Sequence, residues 1–242
     1  MLHAQSGPNP ATSPEDIEAG GRAFRSHCAE CHGRNGEGGR GPALNTGELH
    51  HGSRDEDLFQ NISKGIPGTE MPGIYFTEYQ IWPLVSFVRS LSSGGRHQTP
   101  PGNADRGEEI YEGKGGCSGC HAIGGRGGLQ GPDLSVVGSQ RTPDHLRASI
   151  VRPGDIVPRD WWPVRAVDRD GRTYAGRRLN EDSFSIQILD AQGELRGLLK
   201  SELRELHVEE KRSTMPSYEG RLSAAELDDL VAYLYTLRRR AQ

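Results

Sequence analysis

The sequence predicts a mainly α fold of two small helical domains in tandem, the second interrupted by a short run of β-strands. Three observations predict it. The pattern Cys-x-x-Cys-His occurs twice, at residues 28–32 and 117–121. Each copy is preceded by one amphipathic helical stretch and followed, further on, by another. Between about residues 159 and 210 the pattern changes to short alternating runs broken by turn signals.

The elements follow in order. Ser13-Pro14-Glu15-Asp16 starts the first helix with a capping residue and a proline at the first helical position; Ile17, Gly20 and Phe24 then share a face. In the second half Gly107 and Tyr111 repeat the spacing of four from Gly20 to Phe24. A glycine one turn from an aromatic lets a second helix approach the backbone, so each pair marks a helix crossing. Ser53-Arg54-Asp55-Glu56 and Thr142-Pro143-Asp144-His145 each start a short helix, with Leu58, Phe59 and Ile62 apolar in one and Leu146, Ile150 and Val151 in the other. Thr77 to Gln80 and Ser223 to Glu226 are capping boxes. They open closing helices with stripes Ile81, Leu84, Val88, Leu91 and Leu227, Leu230, Leu234, Leu237. Ser92 to Asn103 is rich in Gly, Ser and Pro, which gives domains at 14–95 and 102–242 with a linker at 96–101.

Composition narrows the function. A net charge of -4 over 242 residues gives no basic surface for nucleic acid. Hydrophobic residues make up only 33%, against 33 glycines and 15 prolines, a thin core that a large apolar cofactor would complete. No stretch approaches the roughly 20 apolar residues that span a membrane. Met1-Leu2-His3-Ala4-Gln5-Ser6 reads as the remnant of a trimmed leader with a start Met added.

All four cysteines lie in the two motifs. Disulfides, a redox motif or a shared zinc would also use paired cysteines. The pairs are far apart for a zinc ribbon, and no βαβ pattern surrounds them. The histidine directly after each second cysteine favours haem c: two thiols form thioethers and the adjacent imidazole reaches the iron. The cofactor-binding residues are then Cys28, Cys31 and His32 for one haem and Cys117, Cys120 and His121 for the other. Apart from Met1 the chain has only Met71 and Met215, each followed by proline and each shortly before the closing helix of its half. A lone methionine is usually core filling. Two Met-Pro pairs in matching places favour soft sixth ligands instead, and a thioether raises the potential as suits an electron carrier.

The succession of amphipathic helix, Cys-x-x-Cys-His, Gly-Pro, short helix, Met-Pro and closing helix, used twice, resembles class I cytochrome c domains in tandem, a dihaem cytochrome c. The resemblance implies two covalently bound haem c groups, with iron held by His32 and Met71 in one and by His121 and Met215 in the other. It also implies that the carbonyls of Pro42 and Pro132 accept the Nδ1 proton of the proximal histidines. Assembly in the periplasm or another exported compartment follows from the family.

The second half departs from the order. Met71 lies six residues beyond Gly65, whereas Met215 lies 61 beyond Gly154, the matching glycine, so about 55 residues are extra (61 minus 6). They read as an antiparallel meander of three to five strands, barrel-like in one form. Turns are expected at Arg169-Asp170-Gly171, Asn180-Glu181-Asp182 and Ala191-Gln192-Gly193; Val164, Ala166, Tyr174, Phe184, Ile186, Ile188, Leu195 and Leu198 are expected inside. The run resembles the β insert of certain cytochrome c domains associated with pyrroloquinoline-quinone or sugar dehydrogenases. It serves either as cover or docking face for the second haem, with Trp161 and Trp162 as contacts, or as a module whose tryptophans fill its own core. His207, near Met215, is a surface residue or a replacement ligand; the same holds for His50 and His51 before the short helix of the first domain, and Arg238-Arg239-Arg240 is a solvated helix end or a steering patch.

The function expected is single-electron transfer, without a catalytic site. The donor would be a periplasmic dehydrogenase or a quinol-linked protein, and the acceptor an oxidase or small cytochrome. The rivals are a dihaem peroxidase, which needs an open iron and acid-base groups beside it, and a redox or gas sensor using a labile Met at the second haem.

Overall fold

A computed structural model of the chain describes residues 9–49, 51–52, 54–94 and 99–238. His50, Ser53, Arg239, Arg240, the first six residues and part of the expected linker lie outside the described residues. The chain forms two compact units, Met1–Thr99 with Gly138–His145, and Pro100–Val137 with Leu146–Gln242.

In the first unit α1 (Pro14–His27) is capped as expected: the Ser13 hydroxyl accepts from Asp16 N–H and the Asp16 carboxylate accepts from Ser13 N–H. It packs on α4 (Glu78–Gly94), and Gly20 sits at the crossing, where an added Cβ would lie 2.0 Å from the Pro83 carbonyl oxygen. Phe24, Ile81, Leu84, Val85 and Val88 fill the contact, with the Phe59 and Trp82 rings 4.6 Å apart beside it. Between these helices lie the one-turn α2 (Ala29–His32) and α3 (Asp55–Lys64). The cap of α3 is Arg54, whose side chain and N–H both pair with Asp57, so the helix begins one residue later than Ser53 predicted.

The second unit repeats the plan. Helix α5 (Ala104–Glu112) packs on α8 (Ala224–Thr236), and a Cβ at Gly107 would lie 2.1 Å from the Asp229 carbonyl. Ser223 and Glu226 form the full capping box. Leu227, Leu230 and Leu234 are buried as the stripe requires, while Leu237 falls just past the helix. The Arg106 guanidinium grips the buried Asp229 carboxylate and joins the two helices at the same level. A two-residue hairpin, β1 (Ala122–Ile123) with β2 (Arg126–Gly127), follows the second motif and was not expected. Short α6 (Val137–Gln140) and α7 (Pro143–Val151) come next in the chain, their residues Gly138–His145 belonging to the first unit.

After α7 the chain builds a five-stranded antiparallel sheet. Its strands are β3 (Pro163–Asp168), β4 (Thr173–Glu181), β5 (Ser185–Asp190), β6 (Leu195–Leu199) and β7 (Leu203–Val208), in the order β6-β5-β4-β3-β7. Four strands form the expected meander, but β7 returns to pair with β3, with Val164 opposite Val208, so the sheet is open with β6 and β7 at its edges rather than barrel-like. Val164, Ala166, Ile186 and Ile188 are its core, with Tyr174 and Leu198 packed against them. Phe184 and Leu195 are corrected: they are 79% and 56% exposed. Phe184 lies in the turn held by Asp182, and Leu195 opens the edge strand β6, so neither faces the core. Val167 and Leu189, which the one-faced reading omitted, are also buried.

Candidate functional site: two Cys-x-x-Cys-His turns and their methionine loops

Each motif is wound as one tight turn. Cys28 closes α1 by donating its N–H to the Phe24 carbonyl at 2.8 Å, and His32 N–H returns to the Cys28 carbonyl at 2.9 Å. In the second copy a short 3-10 turn (Cys117–Gly119) does this work, with His121 N–H on the Cys117 carbonyl at 2.9 Å. All four thiols are free. Burial pushes the Cys28 thiol up to about 11 and raises Cys117 as well.

The imidazoles are held alike. His32 Nδ1 lies 2.8 Å from the Pro42 carbonyl oxygen and His121 Nδ1 lies 2.8 Å from that of Pro132. A carbonyl can only accept, so Nδ1 carries the proton and Nε2 keeps the lone pair that a metal needs. Burial, the larger cause, pulls both rings below the ordinary histidine value against the opposing carbonyl bond. Both are therefore neutral at neutral pH.

The glycine before each of these prolines is required by contact. A Cβ on Gly41 would lie 2.9 Å from His32 Cε1, and one on Gly131 2.4 Å from His121 Cε1. Repetition of Gly-Pro was the sequence signal; the clash explains it. Sequence reading missed two further supports: Tyr111 Oη donates to the His121 carbonyl at 2.8 Å, and Tyr218 Oη donates to the Gly115 carbonyl.

The methionine loops share a construction that the sequence reading also missed. Met71 N–H donates to Thr69 Oγ1 at 3.2 Å, and Met215 N–H donates to Ser213 Oγ at 3.1 Å. Three residues past each Met, a backbone N–H returns to an isoleucine of the short helix: Ile74 to the Ile62 carbonyl at 3.1 Å, Tyr218 to the Ile150 carbonyl at 3.2 Å. The signal was present as a hydroxyl residue two places before each Met. Gly154 is not a counterpart of Gly65 in structure. Gly65 caps α3 at φ 75° against Met71 and Pro72, while Gly154 has open space around it.

Other residues singled out above lie apart from these loops. Met215 and Cys117 both pack on the apolar cluster of the second unit. His207 is exposed on β7, opposite Arg165 in β3. His51 is exposed before α3. Trp161 lies under the Arg177 guanidinium at 3.6 Å and Trp162 donates to the Val157 carbonyl at 2.9 Å; both are half-buried and neither belongs to the sheet core.

Paired free thiols, a neutral imidazole aimed by a proline carbonyl and a glycine kept bare beside the ring fit haem c, and a helical domain so equipped is a c-type cytochrome domain, here built twice. Comparison with known proteins agrees. Residues 15–88 match the family described as cytochrome c oxidase, cbb3-type, subunit III, and residues 104–182 match the family described as cytochrome c. The chain thus carries two cytochrome c-type domains in tandem, with two covalently bound haem c groups.

Among curated relatives, the cbb3-type cytochrome c oxidase subunit FixP of Sinorhizobium medicae is 26% identical over 63% of this chain and 60% of its own length. The corresponding subunit CcoP of Helicobacter pylori is 31% identical over 47% of this chain and 40% of its own. The chain therefore spans about half the length of these relatives. Among solved structures, cytochrome cL of Methylophaga aminisulfidivorans is 32% identical over 35% of this chain and 61% of its own, with a TM-score of 0.33. Among the described residues no helix is long and apolar enough to cross a membrane.

Proposed function

We propose that this chain is a dihaem electron-transfer cytochrome, not itself an enzyme, in which Cys28, Cys31, His32 and Met71 hold one haem and Cys117, Cys120, His121 and Met215 hold the other. The common construction of the two methionine loops carries this reading. A hydroxyl grips each Met N–H, and the third residue beyond ties the loop to the short helix. Core-filling methionines have no need of that repeated backbone device.

Haem c supplies a one-electron iron couple. The chain supplies the rest. Pro42 and Pro132 fix the proximal rings, and the thioethers hold the ferrous state in preference to the ferric. The sulfurs of Met71 and Met215 would occupy the place where a substrate could reach the iron, which would separate a carrier from a peroxidase or gas sensor.

Relatives named as cbb3-type oxidase subunits support a terminal oxidase as the electron acceptor, with a dehydrogenase or quinol-linked protein as donor. An exported compartment such as the periplasm is where thiols meet haem during assembly. The residues 159–210 form an insertion in the second domain, between its short helix and Met215.

The test is the oxidised holoprotein's absorption. Both haems should show the weak far-red band of Met-ligated ferric haem. Met71→Ala and Met215→Ala should each remove about half of it. If Met215→Ala leaves the band whole, another group such as His207 is the ligand and the assignment is wrong.

A further inference from the structure

The segment Gly138–His145 follows the second haem motif in sequence yet belongs to the first compact unit. It is tied to the loop after Pro42 by two hydrogen bonds: Ala43 N–H to the Gln140 carbonyl at 2.8 Å, and Thr46 Oγ1 to the Ser139 carbonyl at 3.0 Å. Ala43, Thr46, Ser139 and Thr142 are all buried there. Such a seam fixes the next residue, Arg141, in place.

Arg141 Nη1 donates to the Gly41 carbonyl and lies 3.3 Å from where a Cβ on Gly38 would be. That loop is closed onto the haem-binding turn at both points. Gly38 N–H donates to the His32 carbonyl at 2.8 Å, and Gly41 N–H donates to the Cys31 carbonyl at 2.9 Å. The next carbonyl, of Pro42, holds the His32 ring. No carboxylate forms an ion pair with Arg141 among the described residues, and burial leaves its guanidinium poorly solvated beside the loop that holds the ligand. In the second unit no side chain among the described residues donates to the Gly131 carbonyl, the counterpart of Gly41.

We propose that Arg141 is a positioning and electrostatic residue that raises the reduction potential of the haem on Cys28 and Cys31 while leaving the haem on Cys117 and Cys120 unaffected. A fixed positive charge in a poorly solvated place disfavours the ferric state, which carries one more positive charge than the ferrous. The effect reaches the first haem through a segment of the first unit that follows the second motif in sequence. The inference rests on His32 being the proximal ligand.

The test is a spectroelectrochemical titration of the full holoprotein carrying both haems, with the Cys28→Ala, Cys31→Ala chain used to assign the two potentials. Arg141→Gln should lower the first haem's potential by about 59 mV, a tenfold change in the reduced-to-oxidised ratio for one electron. The second haem should not move. Arg141→Lys, which keeps the charge, should retain most of the wild-type value. Arg141→Met keeps the apolar stem and gives the same comparison if the Gln variant is not recovered with both haems. An unshifted first potential, an equal shift of both, or a Lys variant as low as the Gln variant would overturn the proposal. His32→Ala reads the ligand separately. If it leaves the first haem's low-spin spectrum intact, the ligation reading fails, whereas an unmoved potential with His32-dependent ligation counts against Arg141 alone.

Discussion

A single atom decides the Gly-Pro position. Because a Cβ on Gly131 would lie 2.4 Å from the His121 ring, Gly131→Ala must turn the imidazole or push Pro132 away. We expect it to reduce haem content from two per chain toward one, as measured by a haemochrome assay. Full loading with an unchanged spectrum would refute the contact argument. His145 gives a second test at this scale. Burial first, and the Arg141 charge next, hold it down to about 4, against a weaker upward pull from Glu37. Its folded value lies below the unfolded one of about 6.5. The stability this neutral ring permits is therefore complete above pH about 6.5 and is lost as pH falls toward 4, since the unfolded chain takes up the proton first. Denaturant midpoints measured across that window should fall for the wild type and fall less for His145→Gln.

At the scale of elements, the helices were legible because their signals are local. Caps at Ser13 and Ser223, the spacing of four between Gly20 and Phe24, and the leucine stripe of α8 each depend on residues within a turn or two. The sheet was legible only in part. Alternation found Val164, Ala166, Ile186 and Ile188, but it ran on through the turn at Phe184, and nothing local says that β7 pairs back to β3. The seating of Gly138–His145 against Ala43 and Thr46 is likewise a long-range matter that periodicity cannot carry. The crossings provide the check on what was legible. Gly20→Ala and Gly107→Ala each press a methyl group into helix backbone and should cost about 1–3 kcal/mol by overpacking. Gly197→Ala, on edge strand β6 with open space around it, should stay within about 0.5 kcal/mol. Equal effects at all three, read by chemical denaturation of the holoprotein, would remove the close approach as the reason for those glycines.

For the whole molecule, the thin apolar supply noted in the sequence has a physical consequence. The described helical cores are small, and each gathers beside a Cys-x-x-Cys-His turn, with Cys28 packed on one cluster and Cys117 on the other. Haem supplies the apolar bulk that side chains do not. Stability and redox function should therefore rise together with haem loading, one domain at a time. The central proposal is that the sulfurs of Met71 and Met215 would close both irons and leave electron transfer as the chain's chemistry. Adding carbon monoxide to the fully reduced holoprotein tests this most directly. The account predicts little binding at either haem and no turnover of added peroxide. Rapid carbon monoxide uptake at one haem, with peroxide consumed, would contradict it.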